Sequence, residues 1–223
     1  MSHGRPDVVV FDVNETLSDM APLATRFADV GAPEHLAATW FASVLRDGFA
    51  LAAAQASAPF AAVASSVLTQ VLTAAGVEDV EAGVEHVMSG FSKLDVHPDV
   101  PDGVRALRRA GLRLVTLTNG SVGITEALLA RAGLRQEFEA LLSVDDAGAW
   151  KPAPASYAYA ARTVNVPPAS MVLVAVHPWD LDGAHRAGLR TAWIDRDGAD
   201  YPSHLTPPDI RAGGLVELAA QYA

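Results

Sequence analysis

Apolar residues follow two patterns along this chain. In the first, short and mostly apolar runs stop at a polar residue. They are Val8 to Phe11 before Asp12, Leu112 to Thr118 before Asn119, Leu141 to Val144 before Asp145, Met171 to Val176 before His177, and Thr191 to Ile194 before Asp195. Such runs predict strands buried on both faces, as in a parallel sheet. In the second, apolar residues recur at helical spacing, as at Trp40, Val44 and Leu45, and again at Val63, Val67, Leu68 and Val71. This pattern, rich in alanine, fills the stretch from about Ser18 to Val96 and predicts helices throughout, punctuated by Ala58-Pro59 and Gly76.

Beyond that stretch the two patterns alternate. Asp99 to Asp102 opens a helix to about Ala110, with Asp102 as N-cap and Gly111 as stop. The strand 112–118 ends in the turn Asn119-Gly120-Ser121, which starts a helix to about Ala132. A short strand at 141–144, a loop from Asp145 to Pro154, a helix over 155–163 and a strand at 171–176 follow. Asp180 starts a helix that stops at Gly188; Thr191 to Ile194 is the last expected strand, and a proline-rich tail ends in a short helix at 215–220. This order predicts an α/β fold: a Rossmann-like, doubly wound parallel sheet with an inserted all-helical cap. The expected core is 1–18 with 97–223, and the expected cap is 19–96.

Composition narrows the function. Half of the 223 residues are hydrophobic, so a sizeable core is expected. A net charge of −10 disfavours nucleic acid and anionic membrane surfaces as partners. There is no cysteine, which excludes disulfides and thiolate chemistry. The stretch Met1 to Asp7 has no apolar leader core and no run reaches membrane-spanning length, so a cytoplasmic protein is expected.

Candidate chemistry gathers at strand ends. Asp12, Thr118 with Asn119, and His177 with Asp180 follow three of the runs, and Lys151 lies in the loop after a fourth. In a doubly wound sheet these ends converge on one edge. Each also has a plainer reading: Asp12 and Asp180 as helix N-caps, Asn119 as a capping residue, and Lys151 as a surface cation. Against the last, the chain has 14 arginines and only two lysines, Lys93 and Lys151.

The sequence resembles the haloacid dehalogenase superfamily, and within it the 2-haloacid dehalogenase branch. Four motifs carry the resemblance, in order, across residues 8–184: Phe11-Asp12-Val13-Asn14-Glu15-Thr16, Leu117-Thr118-Asn119-Gly120-Ser121, Trp150-Lys151-Pro152, and Val174-Ala175-Val176-His177-Pro178-Trp179-Asp180. The resemblance implies that Asp12 is the nucleophile, forming an aspartyl ester that water then hydrolyses. It implies a small halogenated carboxylic acid as substrate, no metal or other cofactor, and makes a homodimer plausible. Phosphatase members have a second Asp two residues after the nucleophile; here it is Asn14. They also hold Mg²⁺ with two carboxylates four apart, and the partner position to Asp180 is Val176. A Mg²⁺-dependent phosphatase is therefore the weaker alternative, and a repurposed small-anion binder a third. The phosphonate-cleaving branch, which needs a cap lysine, has only Lys93 to offer and ranks lower still.

Roles implied for the remaining residues follow the same resemblance. Lys151 keeps Asp12 ionised, and Thr16 closes the nucleophile loop. Asp180 activates water or fixes Lys151. Arg46 meets the halide or the substrate carboxylate, or is a solvated helix arginine. Thr118, Asn119, Asn14 and Phe60 bind substrate or halide, with core as the other reading of Phe60, and Tyr157 binds the substrate carboxylate or is core. Two positions depart from the branch: Ala175 stands for Ser and His177 for Asn. His177 is either the base for ester hydrolysis or a polar plug.

Overall fold

The computed structural model describes residues 5–223; Met1 to Gly4, part of the stretch read for a leader, lie outside the described residues. Six strands, β1 (Val8–Phe11), β2 (Arg113–Thr118), β3 (Ala140–Ser143), β4 (Met171–Ala175), β5 (Arg190–Ile194) and β6 (Ile210–Ala212), form one parallel sheet in the order β3-β2-β1-β4-β5-β6. The helices between β1 and β2 are α1 (Leu23–Asp29), α2 (Leu36–Ala53), α3 (Phe60–Ala74), α4 (Val80–Phe91) and α5 (Val100–Arg109). Then come α6 (Val122–Arg131), α7 (Val144–Ala147), α8 (Pro154–Val164), α9 (Pro178–Arg186) and α10 (Leu215–Ala220).

The apolar run of β1 puts it at the centre of the sheet. Phe11 pairs with Thr116 on one side and with Val174 on the other. Side chains alternate across a strand, so Val9 and Phe11 pack on the layer of α5, α6 and α10, and Val8 and Val10 on that of α8 and α9. All four are fully buried, each contributing about 1.5–3 kcal/mol. Strand order reverses between β1 and β4, so their carboxyl ends open the crevice where such sheets place ligands.

The segment between β1 and α5 folds as four helices around its own core of Phe27, Trp40, Phe60, Leu68 and Phe91. An antiparallel bridge between Ser18 and Val96 closes its base. Trp150, from the loop after β3, enters this core: it stacks on Phe60 at 5.9 Å and its Nε1 donates to the Ala58 carbonyl (2.9 Å). Gly48 makes room for it, since a Cβ there would lie 2.1 Å from the indole.

Four local expectations need correction. Residues 144–147 form one helical turn rather than loop, because Ser143 Oγ accepts the Asp145 N–H (3.2 Å). The tail adds β6, a three-residue edge strand too short to give an alternating signal. Helix α5 starts at Val100, with Pro101 and Asp102 in its first turn; Asp99, at the cap position, accepts the Leu215 N–H (2.7 Å) instead of capping. Helix α9 starts at Pro178 rather than Asp180, as proline suits a first turn where its missing N–H would have had no partner.

Candidate active site

The ends of β1 and β4 and the loop after β3 bring three charged side chains together. Lys151 Nζ donates to Asp12 Oδ1 (2.9 Å) and to Asp180 Oδ2 (2.6 Å). Lys151 and Asp180 are fully buried and Asp12 is 4% exposed. An unpaired charge in such a place would be costly; here the lysine serves both carboxylates. Lys151 is held by its own backbone, whose N–H donates to Asn119 Oδ1 (2.9 Å), next to a cis bond to Pro152. Asp180 is held by Tyr157, whose hydroxyl donates to Oδ1 (2.6 Å).

The second oxygen of Asp12 is equally occupied. Thr16 donates to Oδ2 (2.7 Å) and accepts the Val176 N–H (3.1 Å), which locks the loop to the end of β4. His177 Nδ1 lies 3.0 Å from the same oxygen, and its Nε2 lies 2.7 Å from Glu15 Oε2. Burial alone would raise the Asp12 carboxyl, but Lys151 and His177 together hold it well below the usual carboxylate range. Burial alone would lower His177, yet its bonds to Asp12 and Glu15 push it up to about 9. Burial raises Asp180, and burial with the neighbouring Asp180 raises Tyr157 far above its ordinary value. Lys151 stays charged: burial works against it, but Asp12 and Asp180 outweigh that and raise it.

A cavity of about 610 Å³ opens onto this cluster, lined by Glu15, Phe41, His97, Val176 and His177 among others. Asp12 lies behind His177, whose ring is flanked by Phe41 (6.3 Å between centroids) and Trp179 (5.1 Å). Exposed carboxylates of Glu34, Asp197 and Asp200 line the outer part of the cavity. Arg196 also lines it: its Nη2 donates to Asp99 (3.1 Å) and to the Thr16 carbonyl (3.1 Å), while its buried Nε and Nη1 have no hydrogen-bond partner.

Of the residues expected at the site, Asp12, Thr16, Lys151, His177 and Asp180 converge. Of these five only His177 lines the cavity, and the remaining expected residues do not line it either. Arg46 points to solvent, its side chain 68% exposed, and pairs with its neighbour Asp47 (2.8 Å). Phe60 is buried between Phe91 and Trp150, as insertion core. Tyr157 is fully buried and its hydroxyl supports the Asp180 carboxylate. Thr118 accepts the Gly120 N–H (2.9 Å) and Asn119 braces Lys151, so both shape the loop. Asn14 is half-buried, in a backbone bridge to Ser18. Glu15 and Trp179 fall inside the quoted motifs and Phe41 follows Trp40, but no role at the site follows from sequence for any of the three. For Glu15 a signal existed: a charge inside the nucleophile loop, three residues past Asp12.

The donor set does not suit a divalent metal. Both Asp12 oxygens and both Asp180 oxygens already face Lys151, Thr16, His177 or Tyr157, and Val176 stands where a further carboxylate would be needed. Among the described residues, no three His, Asp or Glu side chains converge as a metal site.

Comparison with known proteins places the chain. The haloacid dehalogenase-like hydrolase family matches residues 6–188. The chain is 33% identical to haloacetate dehalogenase H-2 of Moraxella sp. (strain B) over 130 residues, which spans 58% of each chain. It is 30% identical to (S)-2-haloacid dehalogenase 4A of Burkholderia cepacia, over 94% of this chain and 91% of that one. Its fold matches the L-2-haloacid dehalogenase of Xanthobacter autotrophicus, solved with chloropropionic acid covalently bound, with a TM-score of 0.87 and 26% identity, covering 96% of this chain and 97% of the other.

Proposed function

The chain belongs to the haloacid dehalogenase-like hydrolases, and from that premise we propose that it hydrolyses the carbon–halogen bond of a small 2-haloalkanoic acid, through an ester on Asp12 and without metal. The observation that carries this reading is the lysine between two buried carboxylates. Lys151 lets Asp12 remain an anion in a nearly closed site, stripped of much of the water that would blunt it as a nucleophile.

One Asp12 oxygen attacks the carbon bearing the halogen. A carbon–oxygen bond forms, and the halide leaves with the electron pair of the broken bond. Thr16 and Lys151 fix the carboxylate for this attack, while Asp180 and Tyr157 fix Lys151. Water then attacks Cγ of the ester, the bond to the substrate oxygen breaks, and a 2-hydroxy acid leaves. The covalently trapped chloropropionic acid in the Xanthobacter relative supports an ester route. Occupation of every Asp12 and Asp180 oxygen supports the metal-free part. The same reading places the enzyme in the cytoplasm and allows a homodimer, which light scattering of the purified protein tests.

The test of the reaction is chloride release from L-2-chloropropionate in EDTA, beside an Asp12→Asn variant. A parallel reaction holds p-nitrophenyl phosphate with Mg²⁺. Chloride released by the wild type and lost in the variant supports the proposal. Phosphate release that depends on Mg²⁺, with no chloride, replaces it by the phosphatase reading.

A further inference from the structure

One residue before the lysine of the site, the chain passes from the core into the cap. Trp150 is fully buried, and with Val144 it comes from outside 19–96 to join the buried cluster of the cap. Its indole lies in a slot of three parts. Phe60, at the start of α3, stacks on it at 5.9 Å with 19° between the planes. The Ala58 carbonyl accepts its Nε1 proton (2.9 Å). Gly48, within α2, leaves the space that the ring fills. Phe60 stacks in turn on Phe91 (5.3 Å), and Phe91 meets Trp40 edge-on (5.9 Å), so the slot is continuous with the aromatic core of the cap.

The other side of the same segment is fixed to the core. The Lys151 N–H donates to Asn119 Oδ1 (2.9 Å), Ser156 Oγ donates to the Ala149 carbonyl (2.6 Å), and the Ala153 N–H donates to the Trp150 carbonyl (2.9 Å). Lys151 therefore sits between an anchor in the cap and anchors in the core. A lysine side chain has many rotamers to lose, so a steady Nζ at Asp12 (2.9 Å) and Asp180 (2.6 Å) needs a fixed backbone beneath it.

We infer that Trp150 is a positioning residue: the grip of the cap on its indole sets the backbone of Lys151, so the pairing of Lys151 with Asp12 depends on the seating of the cap. The inference rests on the haloacid reading above. It makes the cap part of the charge arrangement at the nucleophile as well as a wall of the cavity. Trp150, Gly48, Ala58 and Phe60 do not line that cavity. The cap also meets the site through Phe41 on His177 (6.3 Å) and Phe49 on Trp179 (4.8 Å), but those partners follow β4 and are not on the loop that carries Lys151.

The consequence falls on the charge of Asp12. Its Oδ1 faces Lys151, with Asp180 behind, and its Oδ2 faces Thr16 and His177, with Glu15 behind. Burial raises this carboxyl, and the Lys151 charge leads the influences that lower it. A lysine that is no longer held at 2.9 Å lets burial count for more, and Asp12 then takes up a proton at a higher pH.

Two measurements test the inference. The first needs no substrate: a carboxyl-carbon NMR titration of Asp12 in the wild type, Trp150→Phe and Gly48→Ala. Trp150→Phe keeps a ring for the stack and loses the bond to Ala58. Gly48→Ala pushes on the indole from the cap and leaves the lysine loop unaltered. At about pH 4 the wild-type carboxyl should be fully ionised and that of each variant partly protonated, its proton affinity up about ten-fold or more. An unchanged titration in both folded variants overturns the inference. The second is chloride release from L-2-chloropropionate against pH, with thermal melts beside it, adding Trp150→Leu. That variant should lose about 10²-fold in kcat at an unaltered KM, and Trp150→Phe less. All three variants should show an acid limb in kcat/KM that the wild type lacks, so their activity recovers in part as pH rises. A lowered melting temperature with the wild-type pH profile marks a merely structural tryptophan; it overturns the inference and leaves the dehalogenase reading standing. Absence of chloride from the wild type itself overturns both.

Discussion

Lys151 reaches the carboxylate of Asp12 at 2.9 Å across 139 residues of chain. It is the bond by which the loop after β3 and the end of β1 share a charge. Removing it in Lys151→Met leaves Asp180 buried with no cation and Asp12 with only the His177 ring. The expected cost is about 3–5 kcal/mol of stability, read by urea denaturation, with chloride release lost. Adding Asp12→Asn to that variant should recover part of the stability and none of the activity, because one of the two neighbouring buried carboxylates is gone.

Stability should also depend on pH at the alkaline side. The pKa of His177 is raised by folding from its ordinary 6.5 to about 9, so its protonated ring favours the folded state. That contribution is whole below about pH 6.5 and is lost as pH rises through about 9. Asp12 is shifted the other way, so its contribution is present above the ordinary carboxylate range and disappears only in strong acid. Denaturation midpoints should therefore fall between pH 6.5 and 9 in the wild type, and that slope should flatten in His177→Asn. An equal slope in both proteins would assign the titration to another group.

Tyr157→Phe removes a hydroxyl and changes little else. Asp180 Oδ1 would then lose its 2.6 Å donor inside a site with no water exposure. A stability loss of about 1–3 kcal/mol is expected, with weaker fixing of Lys151 showing as lower kcat and an unaltered KM. A raised KM with kcat intact would instead return Tyr157 to the substrate.

Gly48→Ala looks favourable by helix propensity, since alanine is the better residue in the middle of α2. The structure predicts the reverse. The new methyl would lie 2.1 Å from the Trp150 ring, and Trp150 is adjacent to Lys151. Thermal melts should show a loss of about 1–3 kcal/mol, and activity should fall with it. Arg46→Ala, by contrast, should stay within about 0.5 kcal/mol of the wild type and release chloride normally, as its guanidinium meets only Asp47.

Much of this architecture was legible in the chain. The apolar runs ending at Asp12, Thr118 and His177 set strands β1, β2 and β4, and their ends carry the site because a buried strand stops where charge begins. Lys151 was legible through its rarity and its neighbours. What escaped notice depended on partners far away or on elements too short to show a period. β6 has three residues, at the sheet edge. Glu15 reads as an ordinary loop carboxylate until a left-handed turn aims it at a histidine 162 positions later. Arg46 and Tyr157 fit a pattern of spacing, but helix register decides which way a side chain faces, and here one faces water and the other the core.

The carboxylates along the cavity have a consequence for encounter rather than for chemistry. An anionic substrate must approach Glu34, Asp197 and Asp200 on a protein that carries a net charge of −10. Repulsion over a screening length of about 10 Å at 0.1 M salt slows that arrival. Added salt should therefore speed capture of a haloacid and leave the rate of a bound one unchanged, the reverse of the usual electrostatic steering of an enzyme toward its substrate.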